Sequence, residues 1–145
     1  MIFCYLQGFQ PTFCPLSPKN IDNNRKPIII CTFATWCKPS VVELNAISEL
    51  YKDWQKETGV KIYVIVVDDN RTIARVLPFI EAKNWNYEFL WDENRNYWQA
   101  LNIEVFPYTS ILNGKKEIIW KRISYSLGVE EEYITVVRKL ITKTK

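Results

Sequence analysis

The stretch Phe33-Ala34-Thr35-Trp36-Cys37-Lys38-Pro39-Ser40 decides how the fold is read. Ahead of it, Ile28-Ile29-Ile30 continues through Thr32 and Phe33, a β-branched apolar run opened by Pro27, which predicts a buried strand. Pro39 suits the first turn of a following helix, where its missing N–H would have had no intrahelical partner. Cys37 therefore stands at a helix N-terminus, where free N–H groups and the macrodipole favour a thiolate, and Lys38 adds a nearby positive charge.

A thiolate so placed is a nucleophile toward disulfides, and a Cys-x-x-Cys pair would release its substrate by internal attack. Ser40 stands where that second thiol is expected. Its hydroxyl can hydrogen-bond the Cys37 sulfur but cannot form a disulfide. The alternative for Cys37 is a buried packing thiol.

With these residues the chain resembles the thioredoxin superfamily, and within it the TlpA-like or ResA-like thiol:disulfide oxidoreductases. Ala34 to Pro39 look like that active-site turn, and Glu43 lies where the branch carries an acid. Phe106-Pro107-Tyr108-Thr109 is similar to the family's cis-proline loop. The resemblance runs from about residue 27 to 143. It implies an α/β, thioredoxin-like fold, in which a central mixed sheet is flanked by helices and closed by a C-terminal β-hairpin and helix. It also implies Cys37, Ser40, Glu43 and Lys38 as the catalytic positions, with Trp36, Pro39, Phe106, Pro107 and Tyr108 forming the substrate contact. Its implied partner is a protein disulfide or thiol, with glutathione as a further candidate. Its implied setting is the periplasm or cell envelope, the cytoplasm being the alternative, since residues 1–6 lack a charged n-region and a long apolar h-region.

Helical spacing places Ser40, Glu43, Ile47, Leu50 and Trp54 along one side, so Glu43 faces inward among apolar neighbours. Burial would raise its pKa and suit it to proton transfer with the active-site thiol. Otherwise it serves only the helix dipole. Cys31 is expected as a buried packing thiol, and Cys4 and Cys14 as candidates for a substitute resolving thiol.

Composition narrows the field. The chain has 145 residues, 48% of them hydrophobic, which suits one core and leaves little room for a second domain. The net charge of +3 comes from scattered Lys and Arg without a basic stripe, so nucleic acid is not expected as a partner. No stretch approaches the ~20 apolar residues of a membrane span. The sequence contains no His, which removes the usual Cys-His hydrolases and the commonest mixed zinc sites, so neither metal nor cofactor is expected. A peroxiredoxin needs Thr three residues before its Cys, where Ala34 stands, and Pro11-Thr12-Phe13-Cys14-Pro15 has the wrong spacing for that motif.

Residues 1–26 read as an irregular arm with one short strand, and 27–145 as the domain, expected to be a monomer. A helix is predicted over 39–57 with Gly59 as its stop, and a buried strand over 61–67. Asp69 and Asn70 should cap a helix over 71–83, kinked at Pro78. A strand at 87–91 and a helix at 94–101 lead to Pro107. Asn113-Gly114 turns a hairpin between 109–112 and 117–121. The last helix, 129–143, opens with three Glu and turns Tyr133, Val136, Val137 and Leu140 inward.

Three functional readings follow: exchange through Cys37 that stalls at a mixed disulfide, a binding module that has lost catalysis, and a Cys-to-Ser trapping variant of a dithiol reductase.

Overall fold

A computed structural model describes residues 3–5, 11–15 and 20–143. The strands β1 (Phe3–Tyr5), β2 (Pro11–Pro15), β3 (Ile28–Phe33), β4 (Lys61–Val66), β5 (Glu88–Trp91), β6 (Tyr108–Leu112) and β7 (Ile118–Ile123) form one sheet in the order β1-β2-β5-β4-β3-β6-β7. β3, β4 and β5 are parallel, whereas β6 runs antiparallel to β3, and β7 antiparallel to β6. This is the expected mixed sheet with its C-terminal hairpin.

β3 is buried along its whole length, as a mostly apolar central strand with neighbours on both edges is expected to be. Its side chains alternate between two cores. Ile29, Cys31 and Phe33 pack beneath the helices α1 (Lys38–Ser48), α2 (Tyr51–Thr58), α3 (Val76–Lys83) and α5 (Glu130–Lys143). Ile28 and Ile30 face the opposite layer with Tyr63, Ile65 and Leu90, covered in part by Tyr97 and Trp98 of α4 (Asn96–Ala100). Aromatic pairs fill the helix side: Phe33 meets Trp85 edge-on at 5.5 Å, and Tyr51 stacks on Tyr87 at 5.5 Å.

The arm departs from expectation. Two strands lie within 1–26, and β2 joins the outer edge of β5, with prolines confined to its first and last residues. The predicted 39–57 helix is two, because the Leu50 N–H bonds Ile47 O at 2.9 Å and tightens the chain between them. Gly59 then stops α2 in the left-handed conformation (φ 74°). Pro78 produces no mid-helix kink: α3 starts at Val76, so the proline falls in the first turn, where no intrahelical bond is lost.

The hairpin turn is longer than Asn113-Gly114 alone. The Asn113 side chain accepts the N–H groups of Lys115 (2.9 Å) and Glu117 (3.0 Å), and Lys116 takes the left-handed conformation (φ 64°). Gly114 is required for a different reason. A Cβ there would lie 2.3 Å from the Arg25 carbonyl oxygen. Gly114→Ala is therefore expected to destabilise the protein by about 1–3 kcal/mol, because backbone must move to admit the methyl group. Chemical denaturation with an unchanged midpoint would refute this.

Candidate active site

Past the C-terminal end of β3 the chain turns through Ala34–Cys37 before entering α1. The Cys37 N–H closes the turn onto Ala34 O at 3.0 Å. Asp68, just beyond β4, grips it from the side: its carboxylate accepts the Thr35 N–H (3.1 and 3.4 Å) and the Thr35 hydroxyl (2.7 Å). Asp68 is itself buried, and the Trp91 indole donates to its carbonyl at 2.8 Å.

Cys37 is the N-cap of α1 and is 6% exposed. Its carbonyl accepts the N–H groups of Ser40 (3.1 Å) and Val41 (3.3 Å). The Ser40 hydroxyl also donates to that carbonyl, at 2.7 Å, instead of to the sulfur as the sequence suggested. Ser40 is fully buried, whereas Lys38 and Pro39 are exposed at the mouth of the helix.

The second wall is the loop before β6. The Phe106–Pro107 peptide bond is cis. Thr32 ties this loop to β3 by two bonds, accepting the Tyr108 N–H at 2.8 Å and donating to Tyr108 O at 3.3 Å. Pro107 and Tyr108 are buried. The rim is aromatic: Trp36, 51% exposed, meets half-buried Phe106 edge-on at 6.2 Å, and Phe106 packs on Trp98 at 5.1 Å. A crevice continues past Phe106 along Trp98, Asn102 and Glu104. Another concavity, lined by Arg25, Lys26, Lys115 and Ile141, lies at the opposite end of the sheet, far from any thiol described.

Glu43 lies beneath α1 and is fully buried. Thr109 donates its hydroxyl to both carboxyl oxygens (3.0 and 3.2 Å) and Tyr133 of α5 donates to Oε2 at 2.5 Å, with the Cys31 thiol close by. Loss of water pushes the Glu43 carboxyl above its ordinary range, while these neighbours pull against that rise. Burial, and then the Glu43 charge, hold the Cys31 thiol well above its ordinary value.

The two described thiols are free and belong to different apolar clusters, Cys31 with Leu44 and Ile47 of α1 and Cys37 with Ala34, Ile30 and Phe106. Cys14 stands on β2 in register with Leu90, which is level with Ile65 and Thr32. That puts its backbone three strand spacings, about 14 Å, from β3. A disulfide needs Cα atoms within about 7 Å. Among the described residues no group of three His, Cys, Asp or Glu side chains could hold a metal ion, and no helix is long and apolar enough to cross a membrane.

The structure thus brings Cys37, Trp36, Phe106 and Pro107 to one mouth, with Lys38 and Pro39 beside it and Ser40 and Glu43 below. Sequence reasoning missed Thr32, Asp68, Thr109 and the hydroxyl of Tyr133. Asp68 left one trace, an acid closing the buried run of β4.

Two outcomes test this geometry. Asp68→Ala leaves the Thr35 donors without their acceptor, so it should cost about 1–3 kcal/mol of stability and speed alkylation of Cys37; unchanged alkylation would refute the anchoring role. A carboxyl whose pKa is higher folded than unfolded stabilises the fold fully at low pH and progressively less as pH rises through its folded pKa. The stability of the wild type relative to Glu43→Gln should therefore fall across that rise, measured by denaturation at a series of pH values. A constant difference would contradict it.

The model of the AhpC/TSA family matches residues 10–121, which take in β2 to β6, most of β7 and the Cys37 turn. A thioredoxin-like protein from Porphyromonas gingivalis is 36% identical over 90% of this chain and 85% of its own, with a TM-score of 0.78. StoA from Bacillus subtilis shares the fold at 21% identity, with 78% and 84% coverage and a TM-score of 0.64. So does a secreted Mycobacterium tuberculosis disulfide oxidoreductase homologous to Escherichia coli DsbE, at 16% identity, 81% and 84% coverage and a TM-score of 0.65. No curated protein matches the sequence. With the Cys37 turn inside the matched segment and a fold shared with these thioredoxin-like neighbours, the chain belongs to the AhpC/TSA family.

Proposed function

We propose that the protein carries out thiol–disulfide exchange with protein substrates through the single thiol Cys37. The observation that carries this reading is the meeting of Cys37, at the start of α1, with the Phe106–Pro107 loop under an exposed aromatic rim. An extended segment seated on that loop could pair its backbone there while its side chains contact Trp36 and Phe106. The Cys37 sulfur attacks one sulfur of the substrate disulfide. A new S–S bond forms, the substrate bond breaks, and its second sulfur departs as a thiolate that takes up a proton. Glu43, below the helix, is the group we assign to manage that proton.

Ser40 cannot attack the mixed disulfide, and Cys31 belongs to a different apolar cluster. The intermediate therefore waits for an external thiol, from a second protein or glutathione. Attack of that thiol on the substrate sulfur restores Cys37. The Mycobacterium tuberculosis neighbour is described as secreted, which supports a periplasmic or envelope setting, where disulfide substrates persist.

The near-complete burial of the Cys37 side chain favours a second reading, a binding module that uses the aromatic rim without covalent chemistry. Cysteine-resolved mass mapping after equilibration with glutathione and its disulfide separates the two. Exchange predicts a persistent adduct on Cys37 that is lost in Cys37→Ala, and multiple turnovers of insulin reduction, given a reductant, in Ser40→Cys. An unmodified Cys37, with partner binding that survives Cys37→Ala, would sink the exchange reading.

A further inference from the structure

Four fully buried side chains from four elements meet at one point: Cys31 of β3, Glu43 of α1, Thr109 of β6 and Tyr133 of α5. Two of them, Thr109 and Tyr133, donate their hydroxyls to the two oxygens of Glu43, and the Cys31 thiol lies beside it. Hydroxyl donors satisfy a carboxylate well. A protonated carboxyl is served worse, because its own O–H then competes for acceptors already engaged as donors.

We propose that Tyr133 is a positioning residue for the exchange at Cys37: its hydroxyl, with that of Thr109, clamps the Glu43 carboxyl in one orientation and stabilises its ionised form. The proposal rests on the assignment of Glu43 as the proton-handling group. The clamp also joins the two walls of the site. Thr109 lies two residues beyond Pro107, and Glu43 is six residues into the helix that begins at Cys37. Seating a substrate strand on the proline loop is thereby linked to the carboxyl under the nucleophile's helix.

Other titratable groups act around Glu43 without replacing the clamp. Glu130, on α5 with Tyr133, adds a repelling charge, and Tyr87 and Tyr125 sense the Glu43 charge from the loops before β5 and α5. Tyr133 itself stays a donor, since burial and the neighbouring carboxyl hold its phenol far above the ordinary range. It lies outside the segment matched by the family model, in the helix that closes the domain.

The test uses full-length protein labelled with ¹³C-glutamate, in which the Glu43 carboxyl carbon is identified by its loss in Glu43→Gln. Removing one hydrogen bond to a carboxylate should raise its titration midpoint, by about one to two pH units in Tyr133→Phe. The pH profile of Cys37 alkylation by iodoacetamide should move in the same direction, and Tyr133→Phe should no longer move it on a Glu43→Gln background. If the folded variant leaves the Glu43 midpoint in place, the proposal is overturned, whatever Glu43→Gln does to Cys37. If the midpoint rises while alkylation ignores both variants, the clamp exists but has no part in exchange, and the assignment of Glu43 falls with it. Should Tyr133→Phe fail to fold, Thr109→Val removes the other hydroxyl at nearly constant volume, and an unmoved midpoint there overturns the proposal equally.

Discussion

The two hydrogen bonds between Thr32 and Tyr108 hold the site together. The backbone ladder between β3 and β6 runs from Ile28 and Leu112 to Cys31 and Thr109, and there it stops. At the next position the Thr32 hydroxyl takes over, accepting from the Tyr108 N–H and donating to its carbonyl. The strands can then part, one toward Cys37 and the other back to Pro107, without leaving the Tyr108 peptide unpaired in the core. Asp68 does the same on the other edge. The β3–β4 ladder ends at Phe33 and Val66, Val67 adds one more bond to Phe33, and Asp68 then takes hold of Thr35. Two polar side chains thus extend the sheet's hydrogen bonding past its end on either side of Cys37.

Beneath the site the fold accepts a cost. Glu43 is an ionisable group placed where water cannot reach it, and an isolated carboxylate there would be strongly disfavoured. The hydroxyls of Thr109 and Tyr133 offset the penalty, yet burial still dominates the direction of its pKa. An apolar residue in its place would pack more cheaply, so stability alone gives no reason for an acid here.

How far the sequence could be read follows from the range of each interaction. β3, β4 and the last helix were legible because their apolar periodicity is local, as was Gly59, whose left-handed cap is the property of one residue. The inward turn of Glu43 was also legible, since helical spacing alone places it beside Ile47. The break at Leu50 was not, because an i→i+3 bond leaves no mark in composition. Pro78 misled by its position: one proline is a kink in a helix interior and a good starter in a first turn, and only the true N-terminus separates the two. Thr32, Asp68, Thr109 and Tyr133 escaped for a single reason. Each acts on a residue between 33 and 90 positions away, and a threonine or tyrosine in an apolar stripe reads as packing until its hydroxyl has a target.

Ser40 is where structure and chemistry separate. Its hydroxyl is buried and satisfied by the Cys37 carbonyl at 2.7 Å, a role in which O–H is a better donor than S–H. The first turn of α1 is thus at least as well served by serine as by a thiol, and nothing in the packing around Ser40 calls for sulfur. What serine removes is kinetic. A resolving thiol in the same helical turn attacks at the high effective concentration of an intramolecular partner, whereas an external thiol attacks only at its concentration in the surroundings. On the exchange proposed for Cys37, changing one atom at position 40 leaves the aromatic rim, the proline loop and the buried carboxyl in place while transferring control of the mixed disulfide's lifetime from the protein to its environment.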